Sequence, residues 1–65
     1  MNIVVNGSPT ETTAVTVGEL ADEMSVRRPG IAIAVNGRVV RSTAWNDTPL
    51  YDGNAVEIVT AAAGG

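Results

Sequence analysis

Apolar residues near the amino terminus fall at alternate positions. Ile3 and Val5 lie two positions apart, so the segment Asn2 to Asn6 is predicted to be a strand that buries one face. The following Asn6-Gly7-Ser8-Pro9 is rich in turn-forming residues, and its proline is expected to end the first pairing. The β-branched segment Thr10 to Val15 is therefore predicted to return as an antiparallel second strand.

A helical spacing of apolar residues follows. Thr16 and Glu19 have the spacing of a capping box, in which each side chain accepts a hydrogen bond from a backbone N–H at the helix start. Arg27-Arg28 suits the negative end of the helix dipole, and Pro29-Gly30 is expected to end the element after about three turns. The stripe that this helix would bury consists of Val17, Leu20, Ala21 and Met24.

A second hairpin is predicted in the middle of the chain. The segment Ile31 to Val35 is apolar throughout, with its branched residues on one face and Ala32 and Ala34 on the other. Asn36-Gly37 is a strong signal for a two-residue turn, because both turn positions need positive φ. Arg38 to Arg41 is predicted to return as a short strand.

The remaining pattern completes the fold class. Ser42 to Leu50 is predicted to be irregular, and after a turn at Asp52-Gly53-Asn54 the segment Ala55 to Thr60 forms the last strand. The order strand, strand, helix, strand, strand, strand predicts an α+β fold with one mixed sheet and a single helix on one face. This is the β-grasp arrangement, in which the last strand lies in the middle of the sheet, parallel to the first.

The sequence thus divides into one β-grasp domain, residues 1–60, and a flexible C-terminal tail, residues 61–65. The tail is Ala61-Ala62-Ala63-Gly64-Gly65, whose small side chains give it little to pack with. Taken alone, it could be an unstructured end or a working carboxylate on a slim extension reaching at most about 17 Å. The central position of the last strand favours the second interpretation.

Composition excludes several classes of function. The 65 residues include no cysteine, histidine or lysine, which removes disulfides, the common metal sites and most catalytic bases. A net charge of -3 argues against binding to nucleic acid or to anionic membranes. There is no long apolar run and no signal sequence, so the expected location is the cytosol.

Three features have both a structural and a functional interpretation. Trp45 either packs over the irregular segment or serves as a ligand platform. Arg38 and Arg41 are either solvated strand charges or a partner contact. The acidic side of the helix is either solvated or a docking face for a basic partner; it consists of Glu19, Asp22 and Glu23.

The α-carboxylate of Gly65 is the distinctive reactive group that remains. An ionised carboxylate is a poor electrophile, so it must first be activated, for instance as an acyl-adenylate. The sequence has no phosphate-binding loop for ATP, so a separate ATP-using enzyme would have to act on it. A tail of small residues, from Ala61, Ala62 and Ala63 to Gly64, could thread a narrow channel to that enzyme's site.

Short motifs occur in a characteristic order along the whole chain. They are Met-x-Ile-x-Val-Asn-Gly at Met1 to Gly7, Thr-Val-x-x-Leu at Thr16 to Leu20, Ala-Ile-Ala-Val-Asn-Gly at Ala32 to Gly37, Trp45, Thr48-Pro49-Leu50, Asp52-Gly53, Val56-Glu57-Ile58-Val59 and Gly64-Gly65. Together they resemble the ThiS family, the sulfur carrier proteins of thiamin biosynthesis, which are ubiquitin-like β-grasp proteins.

The resemblance implies a mechanism and a set of partners. A ThiF-like adenylating enzyme would use ATP to adenylate the carboxylate of Gly65. Sulfur, usually from the persulfide of a cysteine desulfurase, would displace AMP and leave a thiocarboxylate, and thiazole synthase would take that sulfur into the thiazole ring. The protein itself would be a recycled carrier that binds no cofactor and is not an enzyme.

Partner recognition is expected on the sheet face that lies away from the helix. There Ala32, Ala34 and Val59 would form an exposed apolar patch, which on a small protein usually marks a partner surface. The chain departs from the family pattern at Arg41-Ser42-Thr43-Ala44, where Pro-Arg is frequent, at Asn54, where aspartate is frequent, and in its all-alanine tail.

Other functions remain open at this point. One is a ubiquitin-like modifier joined to other proteins through Gly65. Another is a sulfur carrier for molybdopterin, tRNA thiolation or cysteine synthesis. The absence of phenylalanine weighs against the small subunit of molybdopterin synthase, which carries more aromatic residues.

Overall fold

The computed structural model describes residues 1–60, and the predicted tail, residues 61–65, lies outside the described residues. The described elements confirm the predicted order. They are β1 (Asn2–Val5), β2 (Ser8–Glu11), α1 (Val17–Glu23), β3 (Ile31–Val35), β4 (Arg38–Val40), a 3₁₀ helix (Ser42–Asp47) and β5 (Ala55–Thr60).

The strands form one mixed sheet in the order β2-β1-β5-β3-β4. β5 pairs parallel with β1 on one edge and antiparallel with β3 on the other. The two hairpins therefore flank the last strand, and the predicted central position of β5 is confirmed. α1 supplies the second layer, as a mixed sheet with one apolar face requires.

The first hairpin differs from the prediction at Pro9. This proline does not end the pairing but lies inside β2, opposite Val4. The turn is Asn6-Gly7 alone, with φ of 49° and 83°, so the return strand begins at Ser8 and ends at Glu11. β2 is an edge strand, and there a proline's missing N–H costs no ladder hydrogen bond.

The start of α1 is as predicted, with one change of partner. Thr16 is the N-cap, and its Oγ1 accepts from the Glu19 N–H at 3.1 Å. The Glu19 carboxylate accepts from the N–H of Val15 at 2.9 Å and not from that of Thr16. The reciprocal half of the capping box thus binds one residue earlier and ties the preceding loop to the helix.

The end of α1 comes earlier than predicted. The helix has 7 residues rather than about three turns, and Ser25, in the left-handed region with φ of 58°, closes it. The N–H groups of Val26 and Ser25 donate to the carbonyls of Ala21 and Asp22, at 2.8 and 3.1 Å, which is a Schellman motif. Pro29-Gly30 and the arginines before it therefore lie beyond the helix.

The core lies between α1 and the inner face of the sheet. Most of the predicted helix stripe is buried there, but Met24, at the C-cap, is 39% exposed, so its assignment to the stripe was wrong. The buried apolar residues are Ile3, Val5, Ala14, Val17, Leu20, Ala21, Ile33, Trp45, Leu50 and Val56.

The segment predicted to be irregular contains the 3₁₀ helix. Trp45 lies within it, is 3% exposed, and donates from Nε1 to the carbonyl of Val40 at 2.9 Å. The 3₁₀ helix thus contributes Trp45 to the buried core. Burial inside the core favours the packing interpretation of Trp45 over a ligand platform.

Candidate functional site

The site begins where β5 leaves the sheet. On the β3 edge the pairing continues to the last described residue, with Ile31 opposite Thr60. On the other edge the parallel pairing ends earlier, with Val5 opposite Val56. The strand that leads to the tail is therefore held to its end by β3 but is left by β1 part of the way along.

The side chain of Asn6 binds β5 beyond the point where its backbone pairing with β1 ends. Its Oδ1 accepts from the N–H of Ile58 at 2.8 Å, and its Nδ2 donates to the Ile58 carbonyl at 3.1 Å. A primary amide carries both a donor and an acceptor, so it can reproduce the two bonds of a backbone peptide. Asn6 was predicted only as a turn residue, and this contact with β5 was missed.

The asparagine of the other turn binds the opposite end of β5. Asn36 Oδ1 accepts from the N–H of Ala55 at 2.8 Å, and its backbone N–H donates to the Ala55 carbonyl at 2.7 Å. The signal for these contacts is a pattern that occurs twice, Ile-x-Val-Asn-Gly at residues 3–7 and 33–37. Because β1 runs parallel and β3 antiparallel to β5, the two asparagines reach different ends of the strand.

The predicted patch occupies the outer face of the sheet, the face away from α1. Ala32 lies opposite Val59, which is 57% exposed, and Ala34 lies opposite Val39, which is 75% exposed. We call these four residues the outer patch. Sequence reasoning missed Val39, although it alternates with the inward-facing Val40 and so had to point outward. Glu57 lies beside the patch, opposite Ala34.

Each of the three acidic helix residues has an intramolecular partner. Glu19 caps the helix, and Asp22 binds Arg27 through Oδ1 at 2.6 Å. Glu23 accepts from the Thr12 hydroxyl at 2.6 Å and from the Thr13 hydroxyl at 3.3 Å. The local contacts account for these carboxylates without an external partner.

The described part of the chain offers little direct chemistry. Residues 1–60 enclose no pocket and hold no group of three or more acidic, cysteine or histidine side chains placed to bind a metal ion. Within the same residues, no helix has the length and apolar character needed to cross a membrane. The predicted reactive group, the carboxylate of Gly65, and the threading residues Ala61 to Gly64 lie outside the described residues.

This architecture defines a class of protein: a β-grasp domain whose central, last strand runs into a sequence ending in Gly-Gly. The ThiS family model matches residues 3–65. The chain therefore belongs to the ThiS family, which confirms the resemblance predicted from the motifs.

Individual relatives agree with this assignment. The chain is 34% identical over 61 residues to the sulfur carrier protein ThiS of Thermus thermophilus, covering 94% of this chain and 95% of that protein. The crystal structure of the thiamine biosynthesis protein ThiS from Geobacter metallireducens superposes with a TM-score of 0.86 at 32% identity, and both chains are covered completely. The solution structure of a thiamine biosynthesis protein from Geobacter metallireducens gives 0.79 at the same identity, covering all of this chain and 88% of the other.

Two departures from the family pattern have a plain structural role. Asn54 is 9% exposed, and its Oδ1 accepts from the Tyr51 N–H at 2.8 Å, a bond that an aspartate oxygen would make equally well. Arg41 is the N-cap of the 3₁₀ helix, and its carbonyl accepts from the Ala44 N–H at 2.8 Å.

Proposed function

We propose that this protein is a sulfur carrier for thiazole formation in thiamin biosynthesis and that the carboxylate of Gly65 is its working group. The observation that supports this most strongly is the family match over residues 3–65, which includes the Gly-Gly end. The protein acts as a carrier and cosubstrate rather than as an enzyme, and its expected location is the cytoplasm.

The chemistry takes place in three steps, each on a partner. A ThiF-like enzyme joins the Gly65 carboxylate to the α-phosphate of ATP, forming an acyl-adenylate and releasing pyrophosphate. Persulfide sulfur, from a donor such as a cysteine desulfurase, attacks the acyl carbon and displaces AMP; reductive cleavage of the S–S bond by a thiol leaves the thiocarboxylate. Thiazole synthase takes the sulfur, and hydrolysis returns the carboxylate.

The folded domain has no ATP site of its own in this scheme. The sequence has no phosphate-binding loop, which favours placing ATP on the activating enzyme. The contribution of the chain is to carry the tail at the end of β5, which β1 pairs as far as Val56 and β3 pairs as far as Thr60, and to present the outer patch.

Intact-mass spectrometry tests the proposal directly. After incubation with ATP, a ThiF-like enzyme and a sulfur donor, we expect the protein mass to change by the exchange of one oxygen for sulfur. Omission of ATP is the control and should leave the mass unchanged. A shift to much higher mass in a lysate would instead indicate a modifier joined to other proteins through Gly65. An unchanged mass under all conditions would contradict the carrier function.

The outer patch is proposed as the docking surface for the activating enzyme. Val59 is 57% exposed and forms the β5 side of the patch, opposite Ala32, so Val59→Asp places a charge on the surface without emptying the core. Desolvating that charge in an apolar interface should weaken binding by at least about tenfold. Isothermal titration calorimetry with the ThiF-like enzyme measures the loss, and circular dichroism verifies the fold.

Val15→Asp is the matched control. Val15 is 56% exposed, so the same substitution is made at nearly the same exposure, but in the loop before α1. We expect it to leave binding unchanged within about twofold. Equal losses in both variants would mean that added charge, and not the outer patch, reduces binding.

A further inference from the structure

We propose that Asn6 is a positioning residue for the C-terminal tail: its side-chain amide fixes the backbone of Ile58 and so the direction in which β5 leaves the sheet. The inference rests on the proposed function, since it concerns how the same carboxylate is presented. Asn6 itself touches neither ATP nor the reacting atoms in this scheme.

The argument begins with the edge of β5 that faces β1. The last backbone hydrogen bond on that edge is from the N–H of Asn6 to the carbonyl of Val56, at 2.9 Å. The chain then turns away at Asn6-Gly7. Within residues 1–60, the amide of Asn6 is the one group that binds this edge beyond Val56, through both polar atoms of the Ile58 backbone.

Holding both edges has a mechanical consequence. A strand bonded along one edge alone can rotate about that edge, whereas bonds on both edges fix its plane. Here β3 supplies one edge up to Thr60, and Asn6 supplies the other at Ile58. Because five residues reach at most about 17 Å, the start and direction of the tail determine the volume that its end can reach.

The residue type fits the role closely. Asn6 has φ of 49°, a conformation that asparagine and glycine tolerate better than most residues. Glycine would keep the turn but lose both side-chain bonds. Aspartate would keep an acceptor for the Ile58 N–H but present a second acceptor to the Ile58 carbonyl. Asparagine alone among these three supplies the turn and both bonds.

The chain provides a matched control in the other turn. Asn36 has φ of 50°, is followed by glycine and binds Ala55, at the start of β5, through its side chain. Asn36→Gly therefore makes the same substitution in the same kind of turn, at the end of the strand remote from the tail. A fall in kcat that comes only from lower stability of the fold should appear in both Asn6→Gly and Asn36→Gly.

The experiment compares Asn6→Gly, Asn6→Asp and Asn36→Gly in the full chain. Hydrogen exchange followed by NMR should show the Ile58 amide exchanging at least about tenfold faster in Asn6→Gly, which removes its acceptor, and much less change in Asn6→Asp, which keeps one. In both Asn6 variants, the kcat for adenylation of the tail by a ThiF-like enzyme and ATP should fall about fivefold to tenfold. The KM should change little, because the outer patch is intact. Asn36→Gly should keep the wild-type kcat.

The outcomes distinguish a failure of the positioning role of Asn6 from a failure of the proposed carrier function. Wild-type kcat in both Asn6 variants, or an equal loss in Asn36→Gly, overturns the positioning role, as does unchanged exchange of the Ile58 amide in Asn6→Gly. Absence of any adenylate from the wild-type protein would instead contradict the proposed function. The exchange measurement needs no enzyme, so it tests the amide contact in either case. If the glycine variant does not fold, the kcat of Asn6→Asp, which has lost the bond to the Ile58 carbonyl, tests the positioning role.

Discussion

Deletion of Gly65 is expected to abolish adenylation of the protein while leaving its fold intact. The deletion removes nothing from residues 1–60, where the core lies, but it draws the terminal carboxylate back by about 3.5 Å. Misplacement by about 1 Å can already cost about 10²-fold in rate, so the loss should be at least that large. Single-turnover assays with a ThiF-like enzyme and ATP measure it, and thermal unfolding should match that of the wild-type protein.

Gly64→Ala is the control that separates the effect of tail length from the effect of side-chain bulk. It keeps the full length and the terminal glycine and adds one methyl group at the penultimate position. If the length of the tail is the main requirement, this variant keeps most of the adenylation activity that the deletion loses. A deletion variant that reacts at the wild-type rate would show that Gly65 is not the group acted on.

Trp45→Ala is expected to unfold much of the protein at ambient temperature. Trp45 is 3% exposed and belongs to the buried core, and deleting so large a buried side chain costs about 3–5 kcal/mol. A domain of this size has a total unfolding free energy of only about 3–10 kcal/mol. Denaturant unfolding followed by circular dichroism measures the change.

Trp45→Phe keeps a six-membered aromatic ring in the core and removes the pyrrole part of the indole with its Nε1 donor. The Val40 carbonyl, which that donor binds at 2.9 Å, would lose this hydrogen bond. The expected cost is about 1–2 kcal/mol, well below that of the alanine variant. A ring that mattered only through its hydrogen bond would give equal losses in the two variants, which would contradict its role in packing.

Local sequence signals predicted the elements well where the cause is local. Asn36-Gly37 predicted its turn because both positions need positive φ, and the structure confirms it with φ of 50° and 83°. Thr16 predicted the helix start because its hydroxyl satisfies a nearby N–H. Alternation along β3 correctly separated the inner Ile33 from the outer Ala32.

The errors arose where a distant segment decides the outcome. Pro9 was expected to stop the pairing, but it lies on an edge strand, a position that only the assembled sheet defines. The sequence alone indicates no packing role for Gly18, which lies in α1. In the fold it lets α1 approach the 3₁₀ helix, because an added β-carbon would lie 3.2 Å from the Cα of Asn46 and against its side chain.

The features of the candidate site also divide into those with a local cause and those that depend on distant segments. Gly64-Gly65 and the apolar alternation of β3 and β5 follow from the order of residues alone, so the family, the tail and most of the outer patch were accessible from the sequence. The amide of Asn6 on Ile58 was not, because the two residues are 52 positions apart and meet only when β5 inserts beside β1. The sequence by itself determined what the strand carries at its end. The tertiary structure decided how that end is held, since a hydrogen bond between distant residues exists only after folding has brought them together.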